Sequence, residues 1–194
     1  MSFINEKTKE INCKIVYYGP PRCGKSTSLR FIYSQIKKQI KGELISLTSE
    51  DDKTLYFDFV PLTIGKIADY LVRVHLYTVP GDVAYEANRK IISKGVDGVV
   101  FVADSQIERA QANKASMAEL KEILAHEGMK MTDLPFVIQY NKRDLSNSAS
   151  STELRKILNP GNFPDFETTA TSGEGVYEAL STILKSVLME LKRK

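Results

Sequence analysis

Two cysteines in 194 residues, Cys13 and Cys23, are too few to build a disulfide framework, so a reduced cytoplasmic protein is expected. No apolar run approaches the roughly 20 residues needed to span a bilayer. The opening residues Met1 to Lys7 lack the apolar core of a secretory leader, which argues against export. Ser2 stands where myristoylation needs glycine, and no C-terminal cysteine box for prenylation is present. The expectation is therefore no stable membrane anchor. Charge of one sign is scarce as well: 27 Lys and Arg against 24 Asp and Glu leave a formal +3. No basic stripe with interleaved aromatics stands out, so nucleic acid is not an expected partner. The two histidines, His75 and His126, complete no Ser-His-Asp or metal-ligand spacing, and the two cysteines lack a second pair for zinc. His75 reads as a cross-strand surface residue, and His126 as a favourable helix end.

What is present is an average globular composition, 42% hydrophobic and 26% charged, at a length that fits one domain. Short β-type runs alternate with helical ones, which predicts an α/β fold with a mostly parallel sheet. Strands are expected at Ile11–Tyr18, Thr54–Leu62, Leu71–Val79, Gly98–Ala103, Pro135–Tyr140 and Phe166–Ala170, with a short one at Leu44–Leu47 inside the polar segment Glu43–Lys53. Helices are expected from Lys25 to about Ile40, where Gly42 ends the run, and over Gln106–Glu127, Thr152–Leu158 and Val176–Leu191. The turn Ile64–Lys66 is too short for a parallel crossover, so the strands it joins form a hairpin and the sheet carries one antiparallel edge strand.

Gly19-Pro20-Pro21-Arg22-Cys23-Gly24-Lys25-Ser26 fits G-x-x-x-x-G-K-[ST], the P-loop, after a strand and at the start of a helix. Loop amides and a helix N-terminus converge on an anion there, and the helix dipole adds favourable potential. The candidate phosphate contacts are Gly19, Arg22, Cys23, Gly24, Lys25, Ser26 and Thr27. Lys25 would reach the terminal phosphates, and the Ser26 hydroxyl would hold Mg²⁺. The Arg22 side chain has two readings, toward phosphate or toward solvent, of which solvent is the better. Cys23 has two readings, a loop-filling residue or a redox thiol whose pKa the helix N-terminus lowers, of which loop-filling is the better.

Asn141-Lys142-Arg143-Asp144 follows the apolar strand and resembles the N-K-x-D guanine motif of the Ras-like small GTPases. A carboxylate at Asp144 can accept from guanine N1–H and its exocyclic amine, a donor pair that adenine lacks on that edge. Asn141 and the Lys142 stem would brace the loop and cover the base. Thr169-Ala170-Thr171 stands where those proteins carry S-A-K, with the Ala170 N–H meeting guanine O6. Thr78-Val79-Pro80-Gly81 stands where most carry D-x-x-G, with the Gly81 N–H near the γ-phosphate. Thr78 in place of Asp narrows the resemblance. With the opening Met1–Asn5 and the runs Ile11–Pro20, His75–Gly81, Lys94–Arg109 and Val137–Leu145, the chain is similar to the MglA family of bacterial Ras-like GTPases over nearly its full length.

The resemblance implies a P-loop GTPase fold of about six strands with helices on both faces and the nucleotide at the C-terminal strand ends. It implies GTP/GDP and Mg²⁺ as ligands, with Thr54 joining Ser26 on the metal. It also implies control of polarity or gliding motility at a cell pole, an MglB-type roadblock activator, and polarity adaptors as partners. Three positions depart from the family pattern. Asp82 replaces a glutamine that orients the attacking water, and a carboxylate only accepts hydrogen bonds and repels phosphate. Lys53 replaces an arginine finger, a group worth about 10³–10⁵ in rate, and keeps the charge without the planar fork. Pro21 replaces a glycine and offers no N–H. The expectation is slow or absent turnover with nucleotide affinity retained. The alternative is a scaffold that recruits polarity effectors without turnover, locked in one nucleotide state or empty.

Overall fold

The computed structural model describes residues 3–36, 45–48, 54–81 and 86–193. The chain runs β1 (Phe3–Asn5), β2 (Glu10–Tyr18), α1 (Lys25–Ile36), β3 (Ile45–Thr48), β4 (Thr54–Ile67), β5 (Tyr70–Thr78), α2 (Glu86–Ser93), β6 (Gly98–Asp104), α3 (Ala110–His126), β7 (Phe136–Asn141), α4 (Ser151–Leu158), β8 (Asp165–Glu167) and α5 (Val176–Arg193). One sheet holds all eight strands in the order β3-β4-β5-β2-β6-β7-β8, with β1 beside β2. From β5 to β8 every neighbouring pair is parallel. β4 runs antiparallel to both its neighbours, as a hairpin requires, and β3 takes the outer edge.

Residue alternation explains how two layers of helix cover this sheet. On β2, Ile11, Cys13, Ile15 and Tyr17 point into a core shared with Leu29 and Ile32 of α1 and with Ala179, Leu180, Ile183 and Val187 of α5. Val16 and Tyr18 point into the opposite core, shared with α2, α3 and α4 through Ile92, Leu120, Leu124, Leu154 and Leu158. β6 supplies Val100 and Val102 to the first core and Val99, Phe101 and Ala103 to the second, which is why its sequence is an unbroken apolar run. Each fully buried Leu or Ile contributes about 1.5–3 kcal/mol relative to exposure.

Several expectations shift in detail. β4 continues through Gly65, whose φ of +131° lies at a register shift of the β4–β5 ladder, and the hairpin closes instead between Ile67 and Tyr70. β1, which pairs antiparallel with β2, and α2, which buries Arg89, Ile92 and Ser93, are additions to the expected elements. The first turn expected of α3 is a separate 3₁₀ turn over Ile107–Arg109. The last strand stops at Glu167 because Thr168–Ala170 leave the sheet as a loop, and Thr169 bridges to Glu174. The part of the first helix expected beyond Ile36, with Gly42, lies outside the described residues. His75 is half-buried, with Nε2 2.8 Å from Asn12 Oδ1 and its ring stacked on Phe59. Burial holds its pKa below the usual imidazole value.

Candidate functional site

The parallel strands end together at one edge of the sheet, and in open α/β sheets that edge is where ligands sit. β2 ends at Tyr18, β5 at Thr78, β6 at Asp104, β7 at Asn141 and β8 at Glu167. The segments that follow β2, β5, β7 and β8 are the P-loop, Val79–Gly81, Asn141–Asp144 and Thr169–Ala170. The topology thus gathers four separate motifs at one place.

The loop folds around the Lys25 ammonium. Lys25 is buried, and its Nζ donates to the carbonyl oxygens of Gly19 and Pro20 at 2.8 Å each. Gly19 and Gly24 adopt φ of +144° and +106°, which L side chains rarely enter. A methyl at Gly19 would strike the Val102 carbonyl, and one at Gly24 would strike the Asn141 side chain. Arg22 is also left-handed, at φ +61°, and is exposed. Ser26 and Thr27, in the first turn of α1, are half-buried. Gly81 packs directly on Pro21: a methyl there would meet the Pro21 backbone and lie 3.0 Å from Lys25 Nζ.

Asn141 ties the loop to the two base segments. Its Nδ2 donates to the Cys23 carbonyl at 2.7 Å, while its Oδ1 accepts from Thr168 Oγ1 at 3.1 Å and from Ala170 N–H at 2.9 Å. The Ala170 N–H, expected to meet a base, is therefore engaged within the protein. Thr169 and Ala170 are buried and Asp144 is exposed at the rim. Lys142, at φ +69°, donates from Nζ to Asp104 Oδ2 at 2.7 Å. Arg143 fastens the same loop through Glu167 Oε2 and the Ala149 carbonyl.

Asp104 and Arg109 are site residues that the motif reading missed. Asp104 is a buried carboxylate at the end of an otherwise apolar strand, and that position was its only signal. Arg109 contacts the P-loop across 88 residues of sequence, a pairing that no local pattern announces. Thr54 opens β4, its side chain outside the described residues, and Lys53 and Asp82 lie outside them in full.

Of the two readings of Cys23, the loop-filling one fits the structure, and the lowered pKa does not. The thiol is fully buried, and burial pushes its pKa up more strongly than the neighbouring Lys25 ammonium draws it down. Cys13 is buried too. Both thiols should therefore resist iodoacetamide at pH 7.5 in the folded protein and react on denaturation. Mass spectrometry of labelled peptides checks this, and rapid native labelling of Cys23 would contradict it.

Three kinds of group converge here: loop amides with a buried ammonium, an asparagine brace, and a rim carboxylate. Those donors fit a polyphosphate, and the carboxylate acceptor fits a base with adjacent N–H donors. The family model that matches residues 2–187 is that of the ADP-ribosylation factor family. The chain is 55% identical over 193 residues to the mutual gliding-motility protein MglA of Myxococcus xanthus (strain DK1622), covering 100% of this chain and 99% of that protein. It is 27% identical to human ADP-ribosylation factor-like protein 4A, over 92% of this chain and 84% of that one. It is 26% identical to the chicken (Gallus gallus) DnaJ homolog subfamily C member 27, over 94% of this chain and 64% of that one.

Proposed function

We infer the function from one premise: this chain belongs to the ADP-ribosylation factor family of small GTPases, as a member of the MglA type. We propose that it is a single-domain guanine-nucleotide switch that controls gliding motility and cell polarity. The observation that carries this reading is the Asn141 brace, which joins the phosphate loop to the base segments in one hydrogen-bonded unit.

In this reading the amides of Arg22 to Thr27 and the Lys25 ammonium hold the phosphates of GTP or GDP, and Asp144 accepts from the guanine edge. Ser26 and Thr54 are the hydroxyls that would hold Mg²⁺, which when bound neutralises charge on the phosphate oxygens. No carboxylate stands at Thr78, so the ion would depend on hydroxyls, water and the nucleotide itself. Contact of Thr54 and Gly81 with a γ-phosphate would order their segments, and loss of that phosphate would release them. An MglB-type roadblock activator and polarity adaptors would read the ordered state. The working place would be the cytoplasm, with recruitment to a pole.

Hydrolysis is proposed to be slow. Pro21 places a ring without an N–H against Gly81, Lys53 lacks the arginine fork and Asp82 lacks an amide. The same departures favour a second reading, a scaffold that recruits effectors without turnover. Chromatography of nucleotide released from purified protein separates the two. Bound GDP supports the switch, retained GTP with no single-turnover decay supports the scaffold, and adenine nucleotide would overturn both.

A further inference from the structure

The β6–α3 turn brings a charged side chain to the phosphate loop. Arg109 Nη2 donates to the Pro21 carbonyl at 2.7 Å. Its Nε lies 3.6 Å from Asp104 Oδ2, the same buried oxygen that takes Lys142 Nζ at 2.7 Å. The other carboxylate oxygen, Oδ1, accepts the Gln106 N–H at 3.2 Å. The Arg109 N–H donates to the Gln106 carbonyl at 2.9 Å, which fixes the turn from which the side chain leaves. The guanidinium is therefore held at both ends, by a buried carboxylate and by a loop carbonyl.

The held carbonyl belongs to a planar trans peptide, in which C=O and N–H point in opposite directions. Fixing the Pro21 oxygen toward Arg109 fixes the Arg22 N–H toward the other side. Arg22 has the left-handed backbone that, beside ordinary residues, aligns successive amides into an anion-binding nest. Pro21 itself contributes no amide, so the orientation of the next one matters more here than in a loop with glycine at that position.

We propose that Arg109 is a positioning residue for phosphate recognition: by clamping the Pro21 carbonyl against Asp104, it aims the Arg22 amide into the phosphate cradle. Arg109 acts through the loop and need not touch nucleotide. The inference rests on the guanine-nucleotide reading and adds to it a residue outside the motifs. It also links the two halves of the site, since Asp104 carries both the phosphate-loop clamp and the Lys142 ammonium of the base segment.

The test compares GDP with GMP on the full chain, because a loss of phosphate positioning weighs on the diphosphate while a loosened fold weighs on both. Arg109→Ala should weaken GDP roughly tenfold, the size of one lost charge-assisted hydrogen bond, and leave GMP nearly unchanged, so that the GDP-to-GMP preference falls. Arg109→Lys keeps a single cationic donor that reaches the same carbonyl, and should restore the preference to within about threefold. Release of a fluorescent GDP analogue should quicken in Arg109→Ala in the same proportion. Equal weakening of GDP and GMP, or no change in either, would overturn the proposal while leaving the nucleotide reading intact. If Arg109→Ala fails to fold, Arg109→Gln, too short to reach Pro21, carries the same comparison. Wild-type protein that binds no GDP would overturn this inference together with the reading beneath it.

Discussion

Asn141→Ala should lower affinity for GDP by about 100-fold or more and reduce the melting temperature of the nucleotide-free protein. The side chain is buried and makes three hydrogen bonds, to the Cys23 carbonyl, the Thr168 hydroxyl and the Ala170 amide. Alanine leaves all three partners facing a void, and each buried group without a partner costs about 1–3 kcal/mol. Relaxation recovers part of that by letting the two loops drift apart. The loops are then no longer preorganised, and the cost reappears on binding, where each 1.4 kcal/mol or so is a factor of ten. Titration calorimetry with GDP and a thermal melt without it measure the two shares. Affinity within about threefold of wild type would show that the brace does not organise the site.

The second large effect runs in the direction of gain. Lys53→Arg combined with Asp82→Gln should raise single-turnover GTP hydrolysis by roughly 10³-fold, the lower end of what an arginine finger supplies. The arginine presents a planar fork to charge that develops on the transferring phosphoryl group, which an ammonium matches only as a point. The glutamine can accept from water and donate to the phosphate, whereas a carboxylate can only accept and adds repulsion. Pro21 remains in the double variant and should hold the rate below that of a loop with glycine there. Adding Pro21→Gly should raise it further, since glycine restores an N–H where the loop backbone packs on Gly81. A double variant no faster than wild type would mean that these side chains do not limit turnover.

The parts of this account legible in the sequence are those where chemistry restricts residue type at fixed spacing. Gly19, Gly24 and Lys25 are such positions, because positive φ and a buried ammonium leave few alternatives. Asn141 is another, since one amide side chain must both donate and accept. The apolar run Gly98–Ala103 announces a central strand because helices cover both its faces. Long-range geometry was not legible. Arg109 reads as one charged residue among several until the fold sets it against Pro21. The Cys23 thiol keeps both its loop-filling and its helix-activated reading until burial is known to outweigh Lys25. Gly65 reads as a turn because glycine serves both turns and ladder irregularities, and only the β4–β5 register separates them. α2 carries little signal in the sequence because its apolar side is little more than the adjacent Ile91 and Ile92, of which only Ile92 is buried.

The central claim is that the P-loop and the Asn141–Asp144 segment form one site for a guanine nucleotide. Competition for a bound fluorescent GDP analogue tests it most directly. GTP and GDP should displace the probe while ATP and ADP at about 100-fold excess do not, and Asp144→Ala should erase most of that difference by removing the acceptor for the guanine edge. Equal displacement by ATP and GTP from the wild-type protein would contradict it.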